Sequence, residues 1–529
     1  MKSNMKKIYL LLSCAGLLAA GCNKSLLDTS PHDRYTEETF WKTPEAANAG
    51  LVGCYSVLRN AGVYGGKTSN NATALWEETL SPNAYNQTDA LSFNSIARGT
   101  QMSNTGGIVT GRYSDCYSGI GRCNTFLAKV DEVTVLDEAS RRKMKGEAYF
   151  LRALYYFMLQ NYYGAVPLIL DPPDKTTQAQ LPRTPRAEVV ARVLIDLDSA
   201  TAILPVKFTG TDLGRATKGA AMALKARVLL YEASPLLNTA NDPAKWKAAA
   251  DAAKAVMNLG GTGYDLFANY RGLFLQANEN NKEVIFDVQY IFPQQGSSFD
   301  LICTQYNTNA PLLDLAKTYY TTKGLPITDP ASGYKADSPY IRRDPRLYGT
   351  FTYPGDMYRG AVINATRFAI TGYGMKKYSL YDSAAPPKDK SDLKDGQSDI
   401  NFIVLRYADV LMMYAEAQNE VSGPDATIFA ALNRIRDRVG MPHFSETLTK
   451  EALREEIRHE RRVEFAGEGL YYNDIRRWKT AETVMNASIQ GYNAKNIETR
   501  TFDKNRDYWW PIPLGEKDLN PNLEQNKGY

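Results

Sequence analysis

The segment RRKMKGEAYFLRALYYFMLQNYYG, Arg141 to Gly164, constrains the fold most strongly. Met144, Ala148, Leu151, Tyr155, Met158 and Tyr162 recur at steps of three and four, so a helix here carries one continuous apolar stripe. Gly164 and Pro167 then end it. The pattern returns in EVVARVLIDLDSATAIL, with Val190, Leu194, Leu197 and Leu204. In ATKGAAMALKARVLLYEAS, Ala220, Ala223 and Arg227 share a side and allow close helix approach. In NDPAKWKAAADAAKAVMNLGG, Asp242 is the N-cap and Pro243 opens the first turn. Trp246, Ala250, Ala253 and Met257 make its stripe, and Gly260 is the stop. Further helices are expected over Tyr407–Glu420, Asp425–Val439 and Thr449–Ala466. Short connections pair these segments into antiparallel hairpins of the tetratricopeptide kind, although no clean 34-residue consensus repeats.

Two long irregular regions interrupt the helices, at about 60–115 and 291–403. The first is rich in Gly, Ser, Asn and Thr, the second in Tyr, Pro, Gly and Asp. Short strand-like runs occur near the second, such as EVIFDVQY. Loops this long inside a globular chain are functional or disordered, and their aromatic content argues against disorder. The chain holds 34 tyrosines against 18 phenylalanines. Tyrosine combines a flat apolar face with a polar tip, which suits wet interfaces and ligand grooves. The tyrosines inside helical stripes are expected to be packing residues with solvated hydroxyls.

The amino terminus reads as a targeting segment. Lys2, Lys6 and Lys7 precede a nearly unbroken apolar run from Ile8 to Ala20, too short to span a bilayer but suited to an export signal. Ala19, Ala20 and Gly21 are small, and Cys22 follows. This resembles a bacterial lipobox, with residues 1–21 as the lipoprotein signal and Cys22 as the acylated first residue. Ala19 stands where a leucine is usual, and a soluble secreted protein with a free terminal thiol is the alternative. A cysteine bearing several acyl chains is a firm tether, at about 0.8 kcal/mol per buried CH₂.

Removing that signal takes three lysines from the formal charge of +4 and leaves the mature chain near +1, which gives no electrostatic case for nucleic acid. Residues 22–529 are expected to form one elaborated domain. Cys54, Cys116, Cys123 and Cys303 read as free buried thiols, because no pair has metal-ligand spacing. Cys116 and Cys123 stand about 10 Å apart along a helix, too far for a disulfide. His32, His443 and His459 are scattered, so a histidine metal centre is not expected, and neither a phosphate-cradling loop nor a nucleophile elbow occurs. The acidic run EALREEIRHERRVEFAGEG places Glu456, Glu460 and Glu464 on one helix face and Arg454, Arg458 and Arg462 on another. Like charges at that spacing repel. The expected resolution is a structural ion-pair network, with Arg434, Arg436 and Arg438 as partners, rather than a metal site.

The lipobox is followed in order by LLDTSPHDRYTEETFWKTPEAA, EAYFLRALYYFMLQNYYGAVPL, RRDPRL, RYADVLMMYAEAQNE, LNRIRDRVGMP, RHERRVEFAGEGLYYNDIRRW and WWPIPLGEKDLNPNLEQNKGY. In that order these motifs resemble the SusD/RagB family of outer-membrane nutrient-binding lipoproteins. The resemblance covers the whole chain. It implies a mostly α fold, a superhelix of tetratricopeptide-like helix pairs with long irregular loops and a few short strands. It also implies a cell-surface lipoprotein, without catalytic residues or cofactor, that caps a SusC-like TonB-dependent β-barrel transporter. Such a protein captures oligosaccharide or, in the RagB branch, peptide. Position and chemistry then nominate Trp76, Tyr85, Asn86, Phe93 and Arg98 in the first irregular region as ligand contacts, with Tyr306, Asn307, Tyr319 and Tyr320 in the second. Sugars stack C–H faces on rings and offer hydroxyls to amides and guanidinium groups. Trp509 and Trp510 are assigned to packing near the carboxyl terminus. A surface glycosidase and a scaffold binding only protein partners are the competing readings.

Overall fold

A computed structural model describes residues 40–364 and 366–529. The signal segment and Cys22 lie outside the described residues. The scaffold begins with α1 (Pro44–Ser56), whose N-terminus is closed by the Thr43 side chain accepting from the Ala46 N–H. There follow α2 (Ile108–Lys129), α3 (Glu138–Tyr163), α4 (Arg186–Ile203), α5 (Lys218–Ala233) and α6 (Pro243–Met257). Asp242 caps α6 as its sequence requires. Gly164 ends α3 at φ 75°, a conformation that favours glycine. After the second irregular region come the short α7 (Leu313–Thr318), then α8 (Tyr407–Ser422), α9 (Ala426–Val439), α10 (Lys450–Glu464) and α11 (Tyr471–Arg477). Asp425 and Thr449 cap α9 and α10.

Successive helices pack side by side, α2 on α3, α3 on α4, α4 on α5 and α5 on α6, and α6 meets α8 across the chain. The alanine face of α5 makes this closeness available: Ala220, Ala223 and Ala226 are fully buried. Strands are few and short. β1 (Ala84–Tyr85) pairs antiparallel with β3 (Ala310–Pro311), and β2 (Val284–Val288) pairs antiparallel with β4 (Phe402–Arg406). The β2–β4 pairing explains how the second irregular region is held. Residues 289–401 leave the scaffold on one strand and return on its neighbour. A last hairpin joins β5 (Ser488–Gln490) to β6 (Asn496–Thr499). Among the described residues no helix is long and apolar enough to cross a membrane.

The charged face of α10 is buried as an ion-pair network. Glu464 meets Arg406 Nη1 at 2.7 Å, Arg438 Nη2 at 2.5 Å and Arg346 Nη1 at 3.1 Å. Glu460 meets Arg346 at 2.6 Å and Arg436 at 3.0 Å. Arg346 comes from the second irregular region and Arg406 ends β4, so the network pins that region to the helices. Two of the three expected partners, Arg436 and Arg438, join it, whereas Arg434 pairs with Asp265. Glu456 departs from the expectation: it is half-buried and receives the Tyr320 hydroxyl at 3.4 Å. Burial pushes the Glu464 carboxyl up, but Arg438, Arg406 and Arg346 together outweigh it and hold the group well below the usual range.

The tyrosines of α3 correct the sequence reading. Four of the five hydroxyls, those of Tyr155, Tyr156, Tyr162 and Tyr163, are bonded inside the protein. Tyr155 donates to the Cys54 carbonyl at 2.7 Å, Tyr162 to Glu77 at 2.8 Å and Tyr163 to the Val109 carbonyl at 2.5 Å. Each of these polar tips is satisfied inside the protein and ties α3 to the segments around it, as a buried hydroxyl requires. Cys54, Cys116, Cys123 and Cys303 are free and buried. Trp510 is fully buried, and Trp509 is half-buried beside it.

Candidate glycan-binding face

Three segments distant in sequence meet on one face: the first irregular region, the second, and the β5–β6 hairpin. The β1–β3 pair sets Tyr85 opposite Ala310. The Gln87 amide donates to the Tyr306 carbonyl at 2.5 Å. Arg500, fully buried, donates to the Ser81 and Ala84 carbonyls at 2.7 and 3.2 Å and so anchors the loop carrying Tyr85 to the hairpin. Glu498 on β6 bridges Arg500, at 3.0 Å, and Arg98, at 2.6 Å. The Arg98 side chain remains 38% exposed.

Tyr306 closes a short helical turn and is 39% exposed. Asn307, next to it, takes φ 49°, a left-handed conformation that asparagine tolerates. Its side-chain amide donates to the Tyr373 carbonyl at 2.9 Å. Tyr373 is buried edge-on against Tyr492, at 6.2 Å between ring centroids. Tyr492 sits in the turn of the β5–β6 hairpin and is 38% exposed. Its N–H donates to the Thr371 carbonyl at 2.7 Å. Gly372 makes this seat possible: its φ is +79°, and a Cβ there would stand 2.6 Å from the Tyr492 Cβ. Tyr340 lies parallel to Tyr492 at 6.3 Å and stacks on Tyr353 at 3.9 Å. Its hydroxyl shares a 2.9 Å hydrogen bond with that of Tyr373. The result is a row of partly exposed rings, Tyr492, Tyr340 and Tyr353, with Tyr306 tied to the same face through Asn307 and the Tyr373 carbonyl. Rings fixed in this way lose little entropy when a ligand lies on them.

The nine residues nominated from sequence divide. Tyr85, Arg98 and Tyr306 lie on this face. Tyr320 is partly exposed but lines a separate hollow, stacked on His459 at 3.7 Å. The other five are buried and correct the expectation of direct contact. Trp76 is fully buried, donates to the Thr308 hydroxyl at 3.0 Å and meets Phe93 edge-on at 5.8 Å. Phe93 is equally buried. Asn86 is spent on an Asx turn, its side-chain oxygen accepting from Thr88 N–H at 3.0 Å. Asn307 is the buried left-handed residue just described, its amide spent on the Tyr373 carbonyl. Tyr319 packs edge-on against Phe351, and its carbonyl accepts from the buried Arg343 at 2.6 Å. These five build the support under the face rather than its surface. Sequence reasoning missed Tyr340, Tyr353 and Tyr492. The first two fall inside the expected second region, and Tyr492 could have been flagged by the turn sequence Gly491-Tyr492-Asn493 between two short polar strands.

Comparison with known proteins places this architecture. Residues 282–529 match the model of the SusD family, and residues 27–230 match a model described as starch-binding associating with outer membrane. The chain belongs to the SusD/RagB family. It is similar to a SusD-like protein of Formosa agariphila, 26% identical over 99% of this chain and 98% of that protein. It also matches the starch-binding protein SusD of Bacteroides thetaiotaomicron, 23% identical over 78% of this chain and 76% of that one. Among solved structures, a SusD-like carbohydrate-binding protein of Bacteroides fragilis superposes with a TM-score of 0.80 at 28% identity, covering 92% of this chain and all of that chain. A laminarin-binding SusD-like protein shares the fold, with a TM-score of 0.71 at 24% identity over 92% of this chain and all of that one. The mostly helical fold with few short strands is therefore that of the family, whose starch-binding model is named for association with the outer membrane.

Proposed function

We propose that this protein is a non-catalytic, lipid-anchored binding protein of the outer membrane that captures oligosaccharide on its tyrosine face. In this reading it hands the sugar to a TonB-dependent β-barrel transporter, over which it sits as a lid at the cell surface. The partly exposed rings of Tyr306, Tyr492, Tyr340 and Tyr353 carry the proposal. Flat rings with polar tips suit the C–H faces and hydroxyls of a sugar chain, and Arg98 adds a guanidinium at one end. The carbohydrate-binding members of the family support the ligand class. Capture followed by release calls for micromolar to millimolar affinity, about −4 to −8 kcal/mol. Calorimetric titration of the chain without its lipid, against a panel of neutral oligosaccharides and peptides, tests the reading. Binding within that range to at least one glycan, with no release of reducing ends, is expected. Binding to peptides alone, or hydrolysis of a bound glycan, overturns it.

A further inference from the structure

On the far side of α7 a groove of two adjoining hollows, about 280 and 440 Å³, runs beneath the β5–β6 hairpin toward Trp478. Lys317, Arg462, Tyr471 and Val484 line both hollows, which makes the groove continuous. Its charge is unbalanced: Lys317, Arg458 and Arg462 line it against two carboxylates, Asp314 and Glu455, while Arg500, which also lines it, is buried and paired with Glu498. Two of those cations lie over aromatic rings. The Arg462 guanidinium lies 4.4 Å from the Tyr471 ring centroid, and the Arg458 guanidinium 5.1 Å from that of Trp478. Arg462 is fixed further by Asn83 at 2.8 Å and Asp314 at 2.5 Å, and Arg458 meets Glu455 at 2.9 Å. Both carboxylates are mostly exposed, so these pairs are weak and yield readily to a better partner. Lys317 is exposed and has no acidic partner among the described residues. Tyr320 adds a partly exposed ring, backed by His459.

We infer that this groove is a second subsite, selective for a sugar carrying an anionic group, either a uronate carboxylate or a sulfate ester. A guanidinium already ordered on a ring presents its fork to such an oxyanion at little entropic cost. Lys317 supplies the unpaired charge, and Tyr320 supplies a face for the pyranose. The groove therefore extends capture from neutral to acidic glycans, an inference that rests on the reading of the protein as a glycan binder.

The test is calorimetric titration with trigalacturonate, a sulfated tetrasaccharide, an uncharged glucohexaose and polyglutamate, on the unaltered chain and on Lys317→Ala, Lys317→Ala/Arg458→Ala and Tyr492→Ala. At least one anionic sugar is expected to bind, with affinity falling as salt is raised. Lys317→Ala should weaken it about fivefold and the double variant more than tenfold, with thermal stability retained because Lys317 is exposed. Tyr492→Ala should leave anionic binding unchanged and weaken the glucohexaose instead, so failure of the tyrosine face and failure of the groove read out separately. No binding of either anionic sugar at millimolar concentration overturns the inference. So does binding that survives the double variant, or polyglutamate binding as tightly as the sugars.

Discussion

Replacing Glu464 by Gln tests the account of what holds the second irregular region in place. The carboxylate is fully buried among Arg346, Arg406 and Arg438. Each arginine keeps another acidic partner: Glu460 and Asp344 for Arg346, Glu283 and Glu468 for Arg406, and Glu283 for Arg438. The substitution therefore leaves one uncompensated positive charge in the interior rather than three bare cations. Removing one partner of a buried pair costs about 3–5 kcal/mol. Unfolding entropy of about 2.1 cal/mol/K per residue, over the roughly 490 described residues, gives a slope near 1 kcal/mol/K, so Tm should fall by about 3–5 °C. Glu456→Gln is the internal control. It lies two turns earlier on the same helix face, makes only the 3.4 Å contact with Tyr320, and is already pushed up by burial. Its Tm should move by less than about 1 °C. The pH dependence has a definite sign. The Glu464 carboxyl sits below its unfolded value of about 4.5, so its contribution is present above pH 4.5 and lost as pH falls through the folded value. Glu464→Gln should lack that acid loss. Scanning calorimetry of the unaltered chain and both variants at pH 7 and pH 3 settles the matter. Equal Tm values for the two variants at pH 7 would refute the network as the clamp.

Other perturbations separate surface from support. Tyr306→Ala and Tyr492→Ala should each weaken glycan binding about three- to tenfold in titration while leaving Tm within about 1 °C, since each removes a partly exposed ring. Trp76→Ala should cost about 3–5 kcal/mol and lower Tm by several degrees in calorimetry, as loss of a fully buried indole does. Asp287, buried against Asn401 at 2.9 Å, is pushed up to about 6 by desolvation. Its stabilising contribution is therefore complete below its unfolded value near 3.9 and lost as pH rises through about 6. Urea melts of Asp287→Asn should lack the stability loss that the unaltered chain shows between pH 4 and 6. Cys22→Ser should release the protein from membranes on fractionation.

Periodicity made the helices readable because each buries a stripe, and α3, α5, α6 and α8–α10 all fall where stripe and cap place them. The charged run of α10 was readable for a related reason: like charges at helical spacing need partners, and Arg436 and Arg438 supply them. The face was harder to read. Trp76 and Tyr306 both sit in aromatic, irregular stretches, yet one is sealed in the core and the other half in solvent. That difference arises from long-range contacts, the Thr308 hydroxyl over Trp76 and the Tyr373 carbonyl under Asn307, which no local pattern encodes. Tyr492 joins the face only because a hairpin about 120 residues further along the sequence folds back over Thr371 and Gly372. Residue chemistry in the irregular regions nominated aromatic candidates, whereas burial decided which of those side chains reach the surface.

The most direct measurement is a crystal structure with a neutral oligosaccharide that binds in titration. Ligand density lying across Tyr306 and Tyr492, within stacking distance of their rings, is the predicted result. Density confined to another surface, with both rings bare, would contradict the account.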